Sequence, residues 1–366
     1  MRTGALLLLL LIAAAVGAGL LSQTDVRLRE RLFGWAPPRA PLSMAVLGDS
    51  DSHSYQDRLS YRNEPGARGG VFHKTTLQWT EVIDRLRADQ IDSGEWAVWG
   101  TRRVIAQAQN AVGLSPGRLP RKEDFRFNLA MSGAVCGDLM NGVHRQAPPL
   151  VALMDQEPGR WRNGVVVIRL GGNPLARAVT LDKFARDPAA AEPTATLNMC
   201  VEDIRQAVAL IKSRHAEVSI VLVGIFDNSH WAKYFDRWRS KIELANISSA
   251  LDRYDDGMRA IAASFPRVAF FDDRAWFDAR WGSRGPDGLP AYREVVIGNG
   301  FRVSNALGDH PSNACIADGH SGTVWNALWS QSLLVFLNTK FDLGLRPMTD
   351  AELLSVIDPE GNLGIR

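Results

Sequence analysis

The chain has 366 residues, 46% hydrophobic and 22% charged, with a formal net charge of +2. That is ordinary globular composition, long enough for one large core or two modest ones. The near-neutral balance leaves no electrostatic footprint for nucleic acid, and three cysteines are too few for a disulfide framework and fit no zinc spacing.

In chain order the first feature is apolar. Arg2 precedes an unbroken small-and-apolar run from Gly4 to Leu21, with Val16-Gly17-Ala18 as a small-residue cleavage site. The run is also just long enough to span a bilayer, although Arg27, Arg29 and Arg31 follow it. Residues 1–22 therefore read as a signal peptide or a single-span membrane anchor. Residues 23–41, closed by Pro37-Pro38, read as a tether. No cysteine lies near the run, which excludes a lipoprotein anchor. The expected location is periplasmic or secreted, free or held to the membrane by this segment.

Beyond the tether, strands are predicted at 43–48, 125–131, 164–170, 218–226 and 267–272, and helices near 78–88, 201–215, 250–265 and 321–340. Val201, Ile204, Val208 and Ile211 make a helical stripe. Val218-Ser219-Ile220-Val221-Leu222-Val223 is a nearly continuous apolar strand, as a parallel sheet buried on both faces requires. Strands alternating with helices predict a three-layer α/β/α sandwich with a central, mainly parallel sheet, flavodoxin-like in kind. The reactive loops would gather at the carboxyl ends of its strands. The domain is expected over 42–345, with irregular insertions at 51–124, 174–200 and 274–312 shaping a cleft. Residues 346–366 read as a C-terminal tail.

Four short blocks carry the chemistry. Ala45-Val46-Leu47-Gly48-Asp49-Ser50 is a strand delivering a Gly-Asp-Ser turn. Asn128-Leu129-Ala130-Met131-Ser132-Gly133 sets a Gly five residues after an Asn, following a strand. Val165–Leu170 runs into Gly171-Gly172-Asn173, and Asp318-Gly319-His320 stands before an apolar, Trp-rich helical run. In this order the blocks resemble the SGNH (GDSL-type) hydrolases over roughly residues 42 to 340.

The resemblance implies a serine esterase. Ser50 would be the nucleophile, His320 its base, and Asp318 the carboxylate that orients the imidazole. The backbone N–H groups of Ser50 and Gly133 and the side-chain amide of Asn173 would receive the oxyanion. The substrate would be an acyl ester, O-acetyl or short acyl, on a carbohydrate or a lipid. No cofactor and no metal are expected.

Two departures stand out. The family usually places its Asp three residues before the His, whereas position 317 is Ala and the acid is Asp318. The family often has Asp after the Asn of its third block, where this chain has Pro174. His310, in Asp309-His310-Pro311-Ser312, is a rival base without a helix behind it. His53 reads as a surface or loop residue, and His73, His144, His215 and His230 as structural.

Three other readings compete. The same site could pass an acyl group to a sugar hydroxyl. Asp49-Ser50-Asp51 with Asp272-Asp273 resembles a haloacid-dehalogenase phosphotransferase, with Asp49 as nucleophile, Asp51 as acid and Asp272 or Asp273 on magnesium. A non-catalytic binding protein is the third. Whether any two of Cys136, Cys200 and Cys315 form a disulfide is left open.

Overall fold

The computed structural model describes residues 41–61, 68–112 and 118–364. The leader and tether, 1–22 and 23–41, fall outside the described residues except for Pro41. Among the described residues no helix is long and apolar enough to cross a membrane.

The centre is a five-stranded parallel sheet. Its strands are β1 (Leu42–Gly48), β2 (Ile91–Asp92), β5 (Val165–Arg169), β6 (Ser219–Val223) and β7 (Val268–Phe271), in the order β2-β1-β5-β6-β7. Alternation along β1 explains the layering. Ala45 and Leu47 enter one apolar core and Met44 and Val46 the other, so the strand is buried on both faces.

The first core is closed by α3 (Ala147–Met154), α5 (Ala178–Arg186), α6 (Ala191–Arg214) and α7 (Lys241–Ser264). The second is closed by α1 (Trp79–Arg87), α8 (Asp273–Trp281), α9 (Thr323–Phe341) and α10 (Asp350–Ile357). This is the expected α/β/α sandwich. Two further helices, α2 (Arg103–Ala111) and the four-residue α4 (Gly172–Leu175), complete the α-helical set of the described residues.

The strand order has a functional consequence. Ranked by sequence, the five strands run 2-1-3-4-5, so the order reverses between β1 and β5. In such sheets ligands bind at the carboxyl ends of the two strands flanking that switch. Those ends are Gly48 and Arg169, which are register partners. Ser50 follows the first and Asn173 the second.

Several expectations need correction. The strand foreseen at 125–131 divides. β4 (Lys122–Phe125) pairs antiparallel with β3 (Trp96–Trp99), while the following residues run beside β1 through a Val46–Asn128 bridge. The insertion at 174–200 is largely helical, because α6 begins ten residues before the stripe first noted at Val201. The 274–312 insertion carries β8 (Val295–Ile297) and β9 (Phe301–Leu307), which pair antiparallel, and β10 (Asn313–Cys315) lies parallel to β9.

Residues 346–364 are no tail. Thr349 caps α10 with Glu352 in a reciprocal capping box, and Leu353, Leu354 and Ile357 enter the second core. Glu352 also takes the fully buried Arg87 guanidinium at 2.8 Å. The eight-residue connection 342–349, of mixed polarity, hid this docking from a sequence reading.

Candidate active site

Ser50 occupies a turn whose backbone is fixed on every side. A Cβ on Gly48 would lie 2.6 Å from the Arg169 carbonyl oxygen, so only glycine lets β1 and β5 close at their carboxyl ends. The Gln146 side chain brackets Gly48, accepting from its N–H at 2.8 Å and donating to its carbonyl at 2.9 Å. Past Gly48 the chain coils. Ser52 and His53 donate to the Asp49 carbonyl, and the Asp51 N–H donates to Asp49 Oδ1 at 3.0 Å. Gln78, the N-cap of α1, donates to the Ser50 carbonyl at 3.3 Å.

The His320 loop is tied to the same region. Tyr55, on the loop after Ser50, donates to the Ser321 carbonyl at 2.9 Å, and Leu77 donates to Thr323 Oγ1 at 3.0 Å at the start of α9. The unusual spacing of Asp318 has a geometric solution. Gly319 adopts φ +94°, and a turn from Ile316 to His320 folds the Asp318 carboxylate back over its neighbour. Asp318 Oδ1 then accepts both from the His320 backbone N–H and from its ring Nδ1, each at 2.9 Å.

That leaves His320 Nε2 outside the contact with Asp318. Partial burial pushes the Asp318 carboxyl up, but the His320 hydrogen bond and the Arg68 guanidinium, 3.3 Å away, win and hold it at about 2. A side chain on Gly319 would collide with Trp231, whose ring atom lies 2.3 Å from the Cβ position.

Ser50, Asn173, Asp318 and His320 all line one cavity of about 310 Å³. Among the described residues, Ser50 Oγ has no hydrogen-bond partner, so the serine and histidine share the wall without a direct bond. Catalytic hydrogen bonds are often loose without substrate.

Gly133 does not line this cavity. It sits on a neighbouring turn, with φ +83° and open space around its Cβ position. Asn173 connects the two, because its Nδ2 donates to the Ala134 carbonyl at 2.9 Å. One N–H of that amide remains for other use. His310 is exposed, bonds to Ser312 at 2.7 Å and does not line the cavity.

The cavity floor is charged. Asp49 is 2% exposed, and burial together with the Asp51 charge pushes its carboxyl up to about 7. Arg169, itself buried, lies 3.4 Å from Asp273 and donates to the Asp51 carbonyl at 3.2 Å. Its guanidinium stacks over the Trp329 ring at 4.6 Å, and Trp329 Nε1 donates to Asp273 at 2.7 Å. Asp272 faces elsewhere, capping α8 and pairing with Arg259 at 2.8 Å. Among the described residues no cluster of His, Cys, Asp or Glu could hold a metal ion. Phe226, Asn228, Trp231, Lys233 and Tyr234 also line the cavity.

His53 is the largest departure from the sequence reading. It is 1% exposed rather than on the surface, with Nε2 2.9 Å from Asp57 Oδ2. Burial and the Lys122 charge push it down to about 4, so the ring is neutral near pH 7. The i, i+4 spacing of His53 and Asp57 was the available signal. Cysteines 136 and 200 form a disulfide, and Cys315 is a buried free thiol.

No family model and no curated protein sequence matches the chain. Solved structures overlap it at low identity. An extracellular lipase from Streptomyces rimosus is 18% identical, covering 68% of this chain and 86% of its own, with a TM-score of 0.38. A lipase from a goat rumen metagenome is 13% identical over 65% and 84% of the two chains, with a TM-score of 0.33. An acetyl xylan esterase from Butyrivibrio proteoclasticus is 10% identical over 85% and 66%, with a TM-score of 0.32. Overlaps this slight carry no argument about activity, which rests on the geometry of the site.

Proposed function

We propose that the chain is an exported serine esterase of SGNH type. The observation that carries this reading is one cavity at the β1/β5 switch point, lined by both Ser50 and a His320 whose Nδ1 is held by Asp318. In the proposed reaction His320 Nε2 takes the Ser50 proton as Oγ attacks the ester carbonyl. The oxyanion is received by the Ser50 N–H and the free Asn173 N–H, both on the cavity wall, and by the Gly133 N–H of the adjoining turn that Asn173 ties to it. The imidazolium, stabilised by Asp318, returns its proton to the leaving alkoxide. Water then repeats the sequence on the acyl-enzyme, releasing the acid and the free serine.

Export is supported by the apolar leader and by the Cys136–Cys200 disulfide, which suits an oxidising compartment. The aromatic lining, with Trp231 and Tyr234 beside Asn228, favours an acetylated carbohydrate as substrate. The same surface would suit a sugar hydroxyl as acceptor, so acyl transfer is the second reading. Both readings are tested by following acetate release and sugar acetylation on acetylated oligosaccharide, with wild type and His320→Ala. An unimpaired His320→Ala enzyme would refute the proposed base in either reaction.

A further inference from the structure

The turn that carries Gly133 is held by a buried pair the catalytic reading leaves unused. Ala134 donates to the Met131 carbonyl at 3.0 Å, making Ser132 and Gly133 the central residues of a turn. Gly133 at φ +83° suits the third position of a type II turn. Met131 donates to the Gly48 carbonyl at 3.1 Å, two residues from Ser50. Asn173 grips the far end through the Ala134 carbonyl.

His53 grips the near end. The Ser132 backbone N–H donates to His53 Nδ1 at 3.1 Å, and Ser132 Oγ lies 3.2 Å from the same nitrogen. A ring nitrogen that accepts a backbone N–H carries no proton, so Nε2 bears it and donates to Asp57. Asp57 is fixed in turn. Its Oδ1 accepts from the N–H groups of Leu59, Ser60 and Glu123 at 2.8, 3.2 and 3.0 Å. Tyr61 Oη closes the network, 2.7 Å from Ser132 Oγ.

We infer that Asp57 and His53 are positioning residues for the oxyanion turn. They hold the Ser132 peptide so that the following Gly133 N–H keeps one orientation beside Asn173. This rests on the serine-esterase reading. Ser132 is no second nucleophile, because the imidazole lone pair it would need already receives the Ser132 backbone N–H.

The test uses His53→Ala, His53→Asn and Asp57→Asn, with Ser50→Ala and Ser132→Ala as references. An Asn carbonyl at position 53 keeps an acceptor near Nδ1. An amide at position 57 would donate to Nε2 and drive the imidazole proton onto Nδ1, against the Ser132 N–H. Turnover of p-nitrophenyl acetate, inhibition by a phenylboronic acid and the ¹⁵N shifts of His53 are read together. In His53→Ala and Asp57→Asn, kcat should fall roughly 10- to 100-fold with KM nearly unchanged, as for a displaced oxyanion donor. Boronate affinity should fall in the same proportion, and His53→Asn should recover most of both. The wild-type shifts should show Nε2 protonated and Nδ1 bare.

Wild-type kcat in both variants, with Ser50→Ala inactive, would overturn the positioning role and leave the esterase reading standing. A loss of kcat without loss of boronate affinity would also overturn it. An active Ser50→Ala beside an inactive Ser132→Ala would overturn both. Should His53→Ala fail to fold, Asp57→Asn, which preserves side-chain volume, carries the test.

Discussion

Asp49 stands one residue before Ser50, and its carboxyl resists ionisation because burial and Asp51 oppose the charge. Its folded value of about 7 lies above the ordinary 3.8. Between those values the unfolded chain has lost the proton and the folded chain keeps it. Stability from this group therefore declines as pH rises through that window and levels off above about 7. Asp49→Asn removes the penalty while keeping an oxygen for the Asp51 N–H. The variant should match wild type below about pH 4 and exceed it at pH 8, by an amount on the order of a few kcal/mol. Urea unfolding at the two pH values measures this, and a variant less stable at pH 8 would contradict it. His53 works in the opposite sense. Its folded value of about 4 is below the ordinary 6.5, so its contribution is present above 6.5 and is lost as pH falls toward 4. Ser50→Ala should abolish ester turnover by about three orders of magnitude or more.

The Ile316–His320 turn exists because Gly319 can take φ +94° and leaves room for Trp231. Gly319→Ala should cost about 1–2 kcal/mol from the left-handed backbone alone and should lower kcat more than it lowers stability, since it misaligns Asp318 and His320. Parallel measurement of kcat and thermal unfolding separates the two; a stable variant with full kcat would contradict the role of the turn. This turn also shows where sequence reading stops. The strands β1, β5 and β6 were legible because their apolar runs are buried on both faces, α6 through its stripe at Val201, Ile204, Val208 and Ile211, and α9 as an apolar, Trp-rich run buried nearly all round. The blocks at Ser50, Asn173 and His320 were legible as short local patterns. The reach of Asp318 to its own second neighbour was not, because it depends on one backbone angle. Nor was the burial of His53, whose ring is held by Ser132 on the 131–134 turn, 79 residues away in sequence. The helix α10 was missed because its docking partner, Arg87, lies 265 residues upstream of Glu352.

The disulfide joins the segment just past Gly133 to α6 across 64 residues. Closing a loop of that length removes unfolded-chain entropy worth about 4 kcal/mol. Replacing both cysteines with serine should lower the thermal midpoint markedly, and an unchanged midpoint would show that the link contributes nothing to the fold. The proposed chemistry uses a hydroxyl, an imidazole and amide donors, so treatment with a chelator should leave ester turnover intact. Inactivation reversed by magnesium would point instead to the phosphotransferase reading built on Asp49. The identity of the acylated side chain separates these chemistries most directly. Labelling the purified protein with a fluorophosphonate and locating the adduct by mass spectrometry decides it. The adduct should sit on Ser50, disappear in Ser50→Ala and form far more slowly in His320→Ala. An adduct on Ser52 or Ser132, or undiminished labelling of the Ser50→Ala protein, would contradict the assignment of this cavity as the active site.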